Sequence, residues 1–427
     1  MRGFVALLVL GAASALPQPI AITHAFVVDP RSGEIQNNQT VLVQTGAVRV
    51  VAAALLLPAG ARRLDARGKY LIPGLWDMHT HVGDLPAGWE ELYLANGIVG
   101  VREMACTQEN WPAQQAHRKR GVAPYLVSTI GAIDRDGAQA VHNAVEAARV
   151  TDKLARLGVD FFKVYNGLSR DAYFAIAAEA RKRNLPFTGH VPDAVSVAEA
   201  ARTGQKSIEH MDGVMLACSR AEEGYRKLWV TDGRLPRPLV LNSFSSEKVE
   251  ALAGVLLHAG TWMVPTLTEM RSETLDARKV DDANLQYMSK DWLADWKRTL
   301  SAMRDLGFER RWFAKHREIL GLFERKGVKI LAGTDAPWPY CVPGFSLHDE
   351  LELLVGSGLS ARGALAAATV NATEFLNVVP RGVVLLGANP LLDISNTRKI
   401  EAVIVDGRVL ARKDLDAMLA ATRKRVR

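Results

Sequence analysis

Two histidines separated by a single residue follow a short apolar segment in the stretch IPGLWDMHTHVGD, residues 72–84. Side chains at positions i and i+2 of an extended strand point to the same side. The imidazoles of His79 and His81 are therefore expected to converge on one point. Imidazole nitrogens are common ligands of transition metals. The pair is thus either half of a metal site or a coincidence of two surface histidines.

Four further polar residues end apolar segments later in the chain. Lys163 stands within VDFFKVYNG, His190 follows LPFTG, His210 follows SIE, and Asp335 follows KILAGT. Taken singly, each histidine fits a packed or surface position, and the aspartate fits a helix cap. Lys163 is harder to explain, because burying an unpaired ammonium group costs free energy. Together with the first two histidines, these residues favour a metal centre.

The elements that must position these residues alternate between short apolar segments and helical patterns. Strands that alternate with helices indicate parallel β/α units, and about eight of them make a (β/α)8 TIM barrel. Active sites of such barrels lie at the C-terminal ends of the strands, where all six residues fall. An open doubly wound sheet is the alternative, but no Gly-x-Gly-x-x-Gly turn follows a strand. The predicted strands are Tyr70–Trp76, Gly97–Glu103, Pro124–Ile130, Val159–Val164, Pro186–Val191, Ser207–Met211, Thr261–Leu267 and Lys329–Thr334.

Both ends of the chain are rich in strand-like segments bounded by turn residues. We therefore predict an α/β protein with a TIM barrel at residues 71–378. A small β-sandwich is expected to be built from residues 16–70 and residues 379–427. Residues 1–15 resemble a signal peptide, because a short apolar segment precedes an Ala-x-Ala cleavage pattern. The protein is accordingly expected to be exported, either periplasmic or secreted.

Composition limits the possible partners. The 427-residue chain has a net charge of +7, but no basic stretch alternates with aromatic residues, so nucleic acid is not expected. No segment is long enough for stable membrane insertion. The three cysteines are too few and too scattered for a disulfide framework and are interpreted as buried thiols. A small-molecule substrate is the expected partner, and a homo-oligomer is possible.

Five motifs together resemble one known family. PGLWDMHTHV, FFKVYNGLS, FTGHVPDAV, SIEHMDG and LAGTDAP occur in the order found in the amidohydrolase superfamily. They are most similar to its imidazolonepropionase-related, secreted branch, which includes binuclear dipeptidases of the prolidase type. The resemblance implies two divalent metal ions, with zinc favoured, and a lysine carboxylated by carbon dioxide that bridges them. The implied ligands are His79, His81 and Asp335 for the first ion, His190 and His210 for the second, and Lys163 as the bridge.

The resemblance also implies a reaction. A hydroxide shared by the two ions attacks an amide or peptide carbonyl, and Asp335 transfers the proton to the departing nitrogen. Tyr165 and Arg102 are candidates for contacting the substrate, and Arg102 would favour a carboxylate-bearing substrate such as a dipeptide or an N-acyl amino acid. His142 and His348 are weaker candidates.

Three other functions stay open at this point. They are a lactonase or phosphotriesterase, an imidazolonepropionase-like hydrolase of cyclic amides, and a metal-binding protein without activity. The presence of Lys163 argues against the second, because imidazolonepropionase lacks this lysine and uses one metal.

Two segments depart from the family pattern. The stretch near residues 379–387 is shorter than in relatives, and so is the loop at residues 129–143 after the third predicted strand. The first departure predicts a weakened small domain. The second predicts an unusual substrate specificity.

Overall fold

The structure is a computed structural model that describes residues 18–44, 47–301 and 305–426. The predicted signal peptide at residues 1–15 lies outside the described residues. The fold is mixed α/β. The described strands are β1 Ile20–Val28, β2 Ile35–Gln44, β3 Ala47–Ala52, β4 Arg62–Asp65, β5 Tyr70–Pro73, β6 Leu75–Thr80, β7 Ile98–Cys106, β8 Tyr125–Ile130, β9 Phe162–Val164, β10 Phe187–Gly189, β11 Ser207–Glu209, β12 Trp262–Val264, β13 Val383–Leu386, β14 Ile400–Val405 and β15 Arg408–Ala411.

One sheet is built from both ends of the chain. Its strand order is β15-β14-β13-β5-β1-β2-β3, and β4 pairs with β1. The junction between the two ends is the antiparallel pairing of β5 with β13, from Pro73 opposite Val383 to Tyr70 opposite Leu386. β13 also pairs along its length with β14. The shortened segment near residues 379–387 therefore does not interrupt the sheet.

The predicted strand Tyr70–Trp76 is two strands. β5 belongs to the sheet made from both ends, and β6 begins a separate parallel sheet. The break falls at Gly74, where a Cβ atom would lie 2.2 Å from a methyl carbon of Val99. Only glycine fits so close an approach, and the chain changes sheets there. The sheet from both ends thus extends past the predicted boundary at residue 70.

Two parallel sheets form the middle of the chain, with orders β6-β7-β8 and β12-β11-β10-β9. Backbone hydrogen bonds connect their edges. The amide of Ile133, after β8, donates to the carbonyl of Lys163 in β9 at 2.7 Å. At the other edge, Leu331 donates to Met263 of β12 at 2.9 Å. Six of the predicted strands match β7 to β12, each within a few residues.

The predicted strand Lys329–Thr334 is wrong as a regular strand. This segment is extended and makes only an isolated bridge, between Ile330 and Met263. Near its end, the amide of Thr334 donates both to the carbonyl of His79 and to Oδ1 of Asp77, each at 3.1 Å, and the Thr334 hydroxyl donates to Oδ2 of Asp77 at 2.7 Å. The amide of Asp335 then donates to the carbonyl of His79 at 2.8 Å. The segment therefore lies between β12 and β6.

Helices follow most of the parallel strands, and side-chain caps fix several of their first turns. Ser196 and Glu199, for example, form a reciprocal capping box at the start of α5. No helix in the described ranges is long and apolar enough to cross a bilayer. The described α-helices are α1 Trp89–Ala95, α2 Trp111–His117, α3 Ala144–Arg156, α4 Arg170–Arg183, α5 Val197–Thr203, α6 Val214–Ala217, α7 Glu222–Asp232, α8 Arg237–Asn242, α9 Ser246–Ala259, α10 Leu267–Ser272, α11 Lys290–Ser301, α12 Leu306–Lys326, α13 Phe345–Gly356, α14 Ala361–Ala367, α15 Val370–Leu376 and α16 Arg412–Arg425.

Candidate metal centre

Three of the predicted ligands converge at the C-terminal end of β6. The ligand atoms of His79, His81 and Asp335 all lie within 4.8 Å of one another. Asp335 Oδ1 is 3.2 Å from Nε2 of His79 and 3.1 Å from Nε2 of His81. Burial alone would raise the pKa of Asp335, but its interactions with the two imidazoles hold that pKa well below its ordinary value. The aspartate therefore places an anionic oxygen beside two imidazole nitrogens, a group that could hold a metal ion.

The hydrogen bonding of His79 leaves two buried atoms of this cluster without a partner. Its Nδ1 lies 2.8 Å from Oε2 of Glu209, and both side chains are buried. Arg102 and His79 hold the pKa of Glu209 at about 2 against the effect of burial, so the carboxylate accepts and Nδ1 donates. Nε2 is then the nitrogen of His79 left to face the cluster, and neither Nε2 nor Asp335 Oδ1 has a hydrogen-bond partner although both are buried. A divalent cation between these atoms satisfies both, and nitrogen with carboxylate ligands suits zinc.

Arg102 supports this arrangement from behind. Its guanidinium donates to Glu209 Oε2 at 2.8 Å, to Ser207 Oγ at 3.1 Å and to the carbonyl of Met78 at 2.6 Å. The side chain is fully buried and does not line the cavity described below. This geometry favours orientation of His79 through Glu209. It gives no support to the predicted contact between Arg102 and a substrate carboxylate.

The two later histidines lie beside the first cluster. The ring centroid of His210 is 4.5 Å from that of His79 and 4.8 Å from that of His190. Nδ1 of His190 is hydrogen-bonded to Oδ1 of Asn166 at 2.6 Å, and Nδ1 of His210 is hydrogen-bonded to Oγ1 of Thr266 at 2.8 Å. Burial lowers the pKa of His210 to about 3 and that of His190 well below its ordinary value. Both rings are therefore neutral, which is the form that binds metal.

Backbone strain marks two of these positions. His210 has φ of 57° and Asp335 has φ of 60°, in the left-handed region that side chains other than glycine rarely adopt. Hydrogen bonds hold both residues there, from the amide of His210 to Val264 and from the amide of Asp335 to His79, each at 2.8 Å. Such strain is found chiefly at functional sites.

Lys163 lies in β9, and Tyr165 directly follows the last residue of that strand. Lys163 is only 3% exposed, and burial lowers the pKa of its amine. Among the described residues, no carboxylate lies within salt-bridge distance of its Nζ. The ring of Tyr165 packs 4.1 Å from the ring of His190, measured between centroids, while the residue remains 38% exposed. Burial raises the pKa of Tyr165, so its hydroxyl remains a hydrogen-bond donor.

A cavity of about 690 Å³ opens over these residues. Five of the six predicted ligands and Tyr165 line it, and His79 lies beneath them. Further acids face the same space, namely Asp84, Asp212, Glu269 and Asp295. Lys163 is the only lysine or arginine among the described lining residues.

Several residues that support the site were missed from the sequence. Glu209 precedes His210 in SIEHMDG and Asp77 precedes His79 by two residues, so each buried acid was visible beside a predicted ligand. Asn166 and Thr266 gave no comparable signal. The weaker candidates lie elsewhere: His348 is buried between Thr397 and the carbonyl of Asn96, and His142 is exposed at the start of α3.

Comparison with known proteins agrees with the geometry. Residues 70–410 match the Amidohydrolase family, which is most of the chain. The chain therefore belongs to the Amidohydrolase family, a family of hydrolases that act on carbon–nitrogen bonds.

The three cysteines are free and buried, which confirms the prediction of buried thiols.

Solved structures share the fold over almost the whole chain. Bottromycin amidohydrolase superposes with a TM-score of 0.75 at 24% identity, over 96% of this chain and 91% of that one. A putative prolidase from Bifidobacterium longum gives 0.71 at 20% identity, over 95% and 99%. A Xaa-Pro dipeptidase with bound methionine gives 0.69 at 15% identity, over 92% and 100%. At these identities the likeness establishes the fold alone.

Curated relatives match over a shorter part. The dihydroorotase of Trichlorobacter lovleyi is 31% identical over 112 residues, which is 26% of each chain. The dihydroorotase of Geobacter sulfurreducens is 31% identical over 113 residues, again 26% of each. The chain thus aligns with about a quarter of the length of these relatives.

Proposed function

We propose that this protein is a binuclear metal-dependent hydrolase that cleaves a carbon–nitrogen bond in a small amide substrate. One observation carries the proposal. Buried Nε2 of His79 lies 3.2 Å from an anionic oxygen of Asp335, and neither atom has a hydrogen-bond partner. The remaining candidate ligands surround the same cavity, which is large enough for a small substrate.

The proposed ligand sets follow from the two clusters. His79, His81 and Asp335 would hold one ion, and His190 with His210 would hold the other. Lys163 would join them as a carbamate, which supplies the anionic oxygens that its amine lacks. The nitrogen and oxygen ligands favour zinc. Two such ions, when bound, polarise the scissile carbonyl and supply a nucleophilic oxygen from water at neutral pH.

The chain's own residues supply the rest of the chemistry. Asp335 accepts a proton from the attacking water and holds it at a carboxylate oxygen. It then donates the proton to the departing nitrogen, because an amide nitrogen leaves poorly until it is protonated. Tyr165 stands at the cavity wall and donates a hydrogen bond to a substrate oxygen. Glu209, held by Arg102, keeps His79 in the tautomer that presents Nε2 to the cavity.

The substrate class we propose is a dipeptide or an N-acyl amino acid. Membership in the family and the names of the structural neighbours, a prolidase and a Xaa-Pro dipeptidase among them, support an amide of this kind. The imidazolonepropionase-related branch is part of the same proposal, supported by the five motifs. The buried position of Arg102 leaves a substrate carboxylate to be recognised by Tyr165 or by backbone amides.

Two further proposals concern the scaffold and the location. We propose that the two parallel sheets and the extended segment near residue 330 close into a (β/α)8 barrel, and that the sheet built from both ends folds into a β-sandwich. The hydrogen bonds between β8 and β9 and between β12 and residue 331 support closure. We also propose export, on the strength of the pattern at residues 1–15.

The test is hydrolysis of a panel by zinc-loaded protein. The panel contains dipeptides, N-acetyl amino acids, a lactone and a phosphotriester, and Asp335→Asn serves as the matched inactive variant. We expect release of free amine from the amides only, and loss of that release with chelator. Turnover of the lactone or the phosphotriester alone would overturn the proposed reaction.

A further inference from the structure

A second cavity opens beside the candidate metal centre and is not used by the proposed reaction. Its volume is about 880 Å³. Asp84 and Trp292 line both this space and the cavity over the metal centre, so the two spaces are neighbours with shared walls. Gly83, two residues after the predicted ligand His81, lines the second cavity as well. We call this second space the lateral cavity.

Apolar side chains form most of the walls of the lateral cavity. They come from four parts of the chain, namely the segment after β6, the start of α1, the segment that leads into α11, and the end of α16. Large apolar surfaces in a soluble protein mark places where a ligand or a partner binds. The apolar wall residues include Leu85, Trp89, Leu92, Met288, Trp292 and Val426.

Two aromatic rings of these walls are held from behind by other rings. The ring of Trp89 stacks on that of His117, with centroids 5.0 Å apart, and meets the ring of Tyr93 edge-on at 5.5 Å. The ring of Tyr287, which also lines the lateral cavity, stacks on that of Phe345 at 5.0 Å. The walls are therefore formed before a ligand arrives, which lowers the entropy cost of binding.

The polar side chains in the walls leave no buried charge unpaired. Arg425 is the only lysine or arginine in the described lining, and its guanidinium donates to Glu91 at 2.5 Å and to Thr422 at 2.9 Å. The side-chain amide of Asn110 donates to a backbone carbonyl at 2.8 Å. Asp84, the one carboxylate in the described lining, is exposed to solvent. The lateral cavity thus suits an apolar group rather than a charged one.

We propose that the lateral cavity binds the apolar acyl chain of an N-acyl amino acid whose amide bond is cleaved at the metal centre. Its volume supports a chain rather than a single amino-acid side chain, because spaces of this size bury whole small ligands. A chain attached to the scissile carbonyl would pass the ring of Trp292 and enter the lateral cavity. This inference rests on the proposed function and names its substrate class: amino acids that carry an apolar acyl chain longer than acetyl.

The test varies the acyl chain and keeps the amino acid. We would measure kcat/KM of the zinc-loaded protein for the N-acetyl, N-butanoyl and N-octanoyl derivatives of each amino acid in the panel. Each methylene group that is buried in an apolar site favours binding. We therefore expect a preference for N-octanoyl over N-acetyl substrates of roughly tenfold or more. A kcat/KM that does not rise with chain length would overturn the inference.

Two substitutions place a carboxylate in the lateral cavity. Leu85→Asp and Val426→Asp should each bring the octanoyl preference toward one, because an apolar chain would bury the new charge, while turnover of the N-acetyl substrate persists. Val426 follows the last residue of α16, so its variant decides the question if Leu85→Asp does not fold. Leu392→Asp is the matched control, because Leu392 is exposed and lines neither cavity. A preference that survives in both variants would overturn the inference.

A binding measurement keeps this inference separate from the proposed function. Calorimetric titration of the zinc-loaded protein with octanoate and with acetate needs no turnover, and the two probes differ only in the chain. Roughly tenfold tighter binding of octanoate, lost in Val426→Asp and kept in Leu392→Asp, would support the lateral cavity even if no amide were cleaved. Equal binding of the two probes would overturn the acyl site and leave the hydrolase intact. Failure to cleave any amide would overturn the hydrolase.

Discussion

The two halves of the candidate metal centre are held in different ways. In the buried half, Nδ1 of His79 donates to the charged carboxylate of Glu209, which Arg102 fixes in turn. In the open half, His190 and His210 donate to the neutral side chains of Asn166 and Thr266. His79, Glu209 and Arg102 of the first half do not line the cavity, whereas His190 and His210 of the second half do.

The charged half is expected to be the more rigid of the two, and the neutral half the more accessible to solvent. A buried charged network holds a ligand in one orientation. Disturbing it is costly, because the removal of one member leaves the charge of its partner unpaired. Neutral partners orient a ligand at lower cost and tolerate contact with solvent. We therefore expect substitutions in the buried half to have larger effects than substitutions in the open half.

The largest expected effect is at Asp335, which belongs to the buried half and transfers the proton in the proposed reaction. Asp335→Asn should lower kcat for amide hydrolysis by about 10³-fold, since it removes both an anionic ligand and the general base. Asp84→Asn is the matched control, because Asp84 lines the same cavity and its hydrogen bond to a ligand, from its amide to the carbonyl of His81 at 3.2 Å, does not involve the carboxylate. Steady-state kinetics on zinc-loaded proteins would measure this. A loss below tenfold would remove Asp335 from the mechanism.

The charged network behind His79 should be next. Arg102→Met leaves Glu209 buried and unpaired, and we expect the free energy of unfolding to fall by about 3–5 kcal/mol. The double variant Arg102→Met/Glu209→Met should recover most of that stability while metal affinity stays reduced. Urea denaturation measures the first quantity and chelator competition the second. Arg170→Met, at an exposed ion pair with Glu199, should cost less than about 1 kcal/mol. Similar costs for the two arginines would refute the contrast.

A smaller effect is expected in the open half. Asn166→Ala removes the acceptor of His190 Nδ1 and should weaken binding of one ion by roughly 10-fold to 100-fold, with little change in unfolding free energy. Asn37→Ala, on an exposed part of β2, is the control. Competition with a fluorescent chelator reports the affinity. If Asn166→Ala lost as much stability as Arg102→Met, the two halves would not differ as described.

The smallest expected effect is at Tyr165. Tyr165→Phe keeps the packing against His190 and removes one hydroxyl, so kcat/KM should fall by about tenfold or less. Metal content should be unchanged, which distinguishes this variant from those of the ligands. Tyr225→Phe, in α7, serves as the control. An unchanged kcat/KM would show that the hydroxyl does not contact the substrate.

The sequence predicted the ligands better than their supports. His79, His81 and Asp335 were found because strand periodicity and apolar segments indicate which side chains reach a strand end. The partners of these residues come from other strands: Arg102 meets Glu209 only after β7 and β11 are placed, across 107 positions in the chain. Periodicity contains no information on such pairs, so Arg102 was predicted to face the substrate.

Elements held by side chains were also hard to predict. The segment at residues 329–334 has the apolar pattern of a strand, yet it forms an isolated bridge in place of a ladder, and Thr334 at its end also bonds the side chain of Asp77. The split at Gly74 depends on a contact with Val99 that local sequence does not show.

The central claim is a centre of two ions joined through Lys163. The most direct test is the metal content per chain of purified wild-type and Lys163→Ala protein, measured by elemental analysis beside turnover of a dipeptide. We predict about two zinc-like ions and turnover for the wild type, and about one ion without turnover for the variant. One ion or none in a wild type supplied with metal, or two ions and full turnover in Lys163→Ala, would contradict the account.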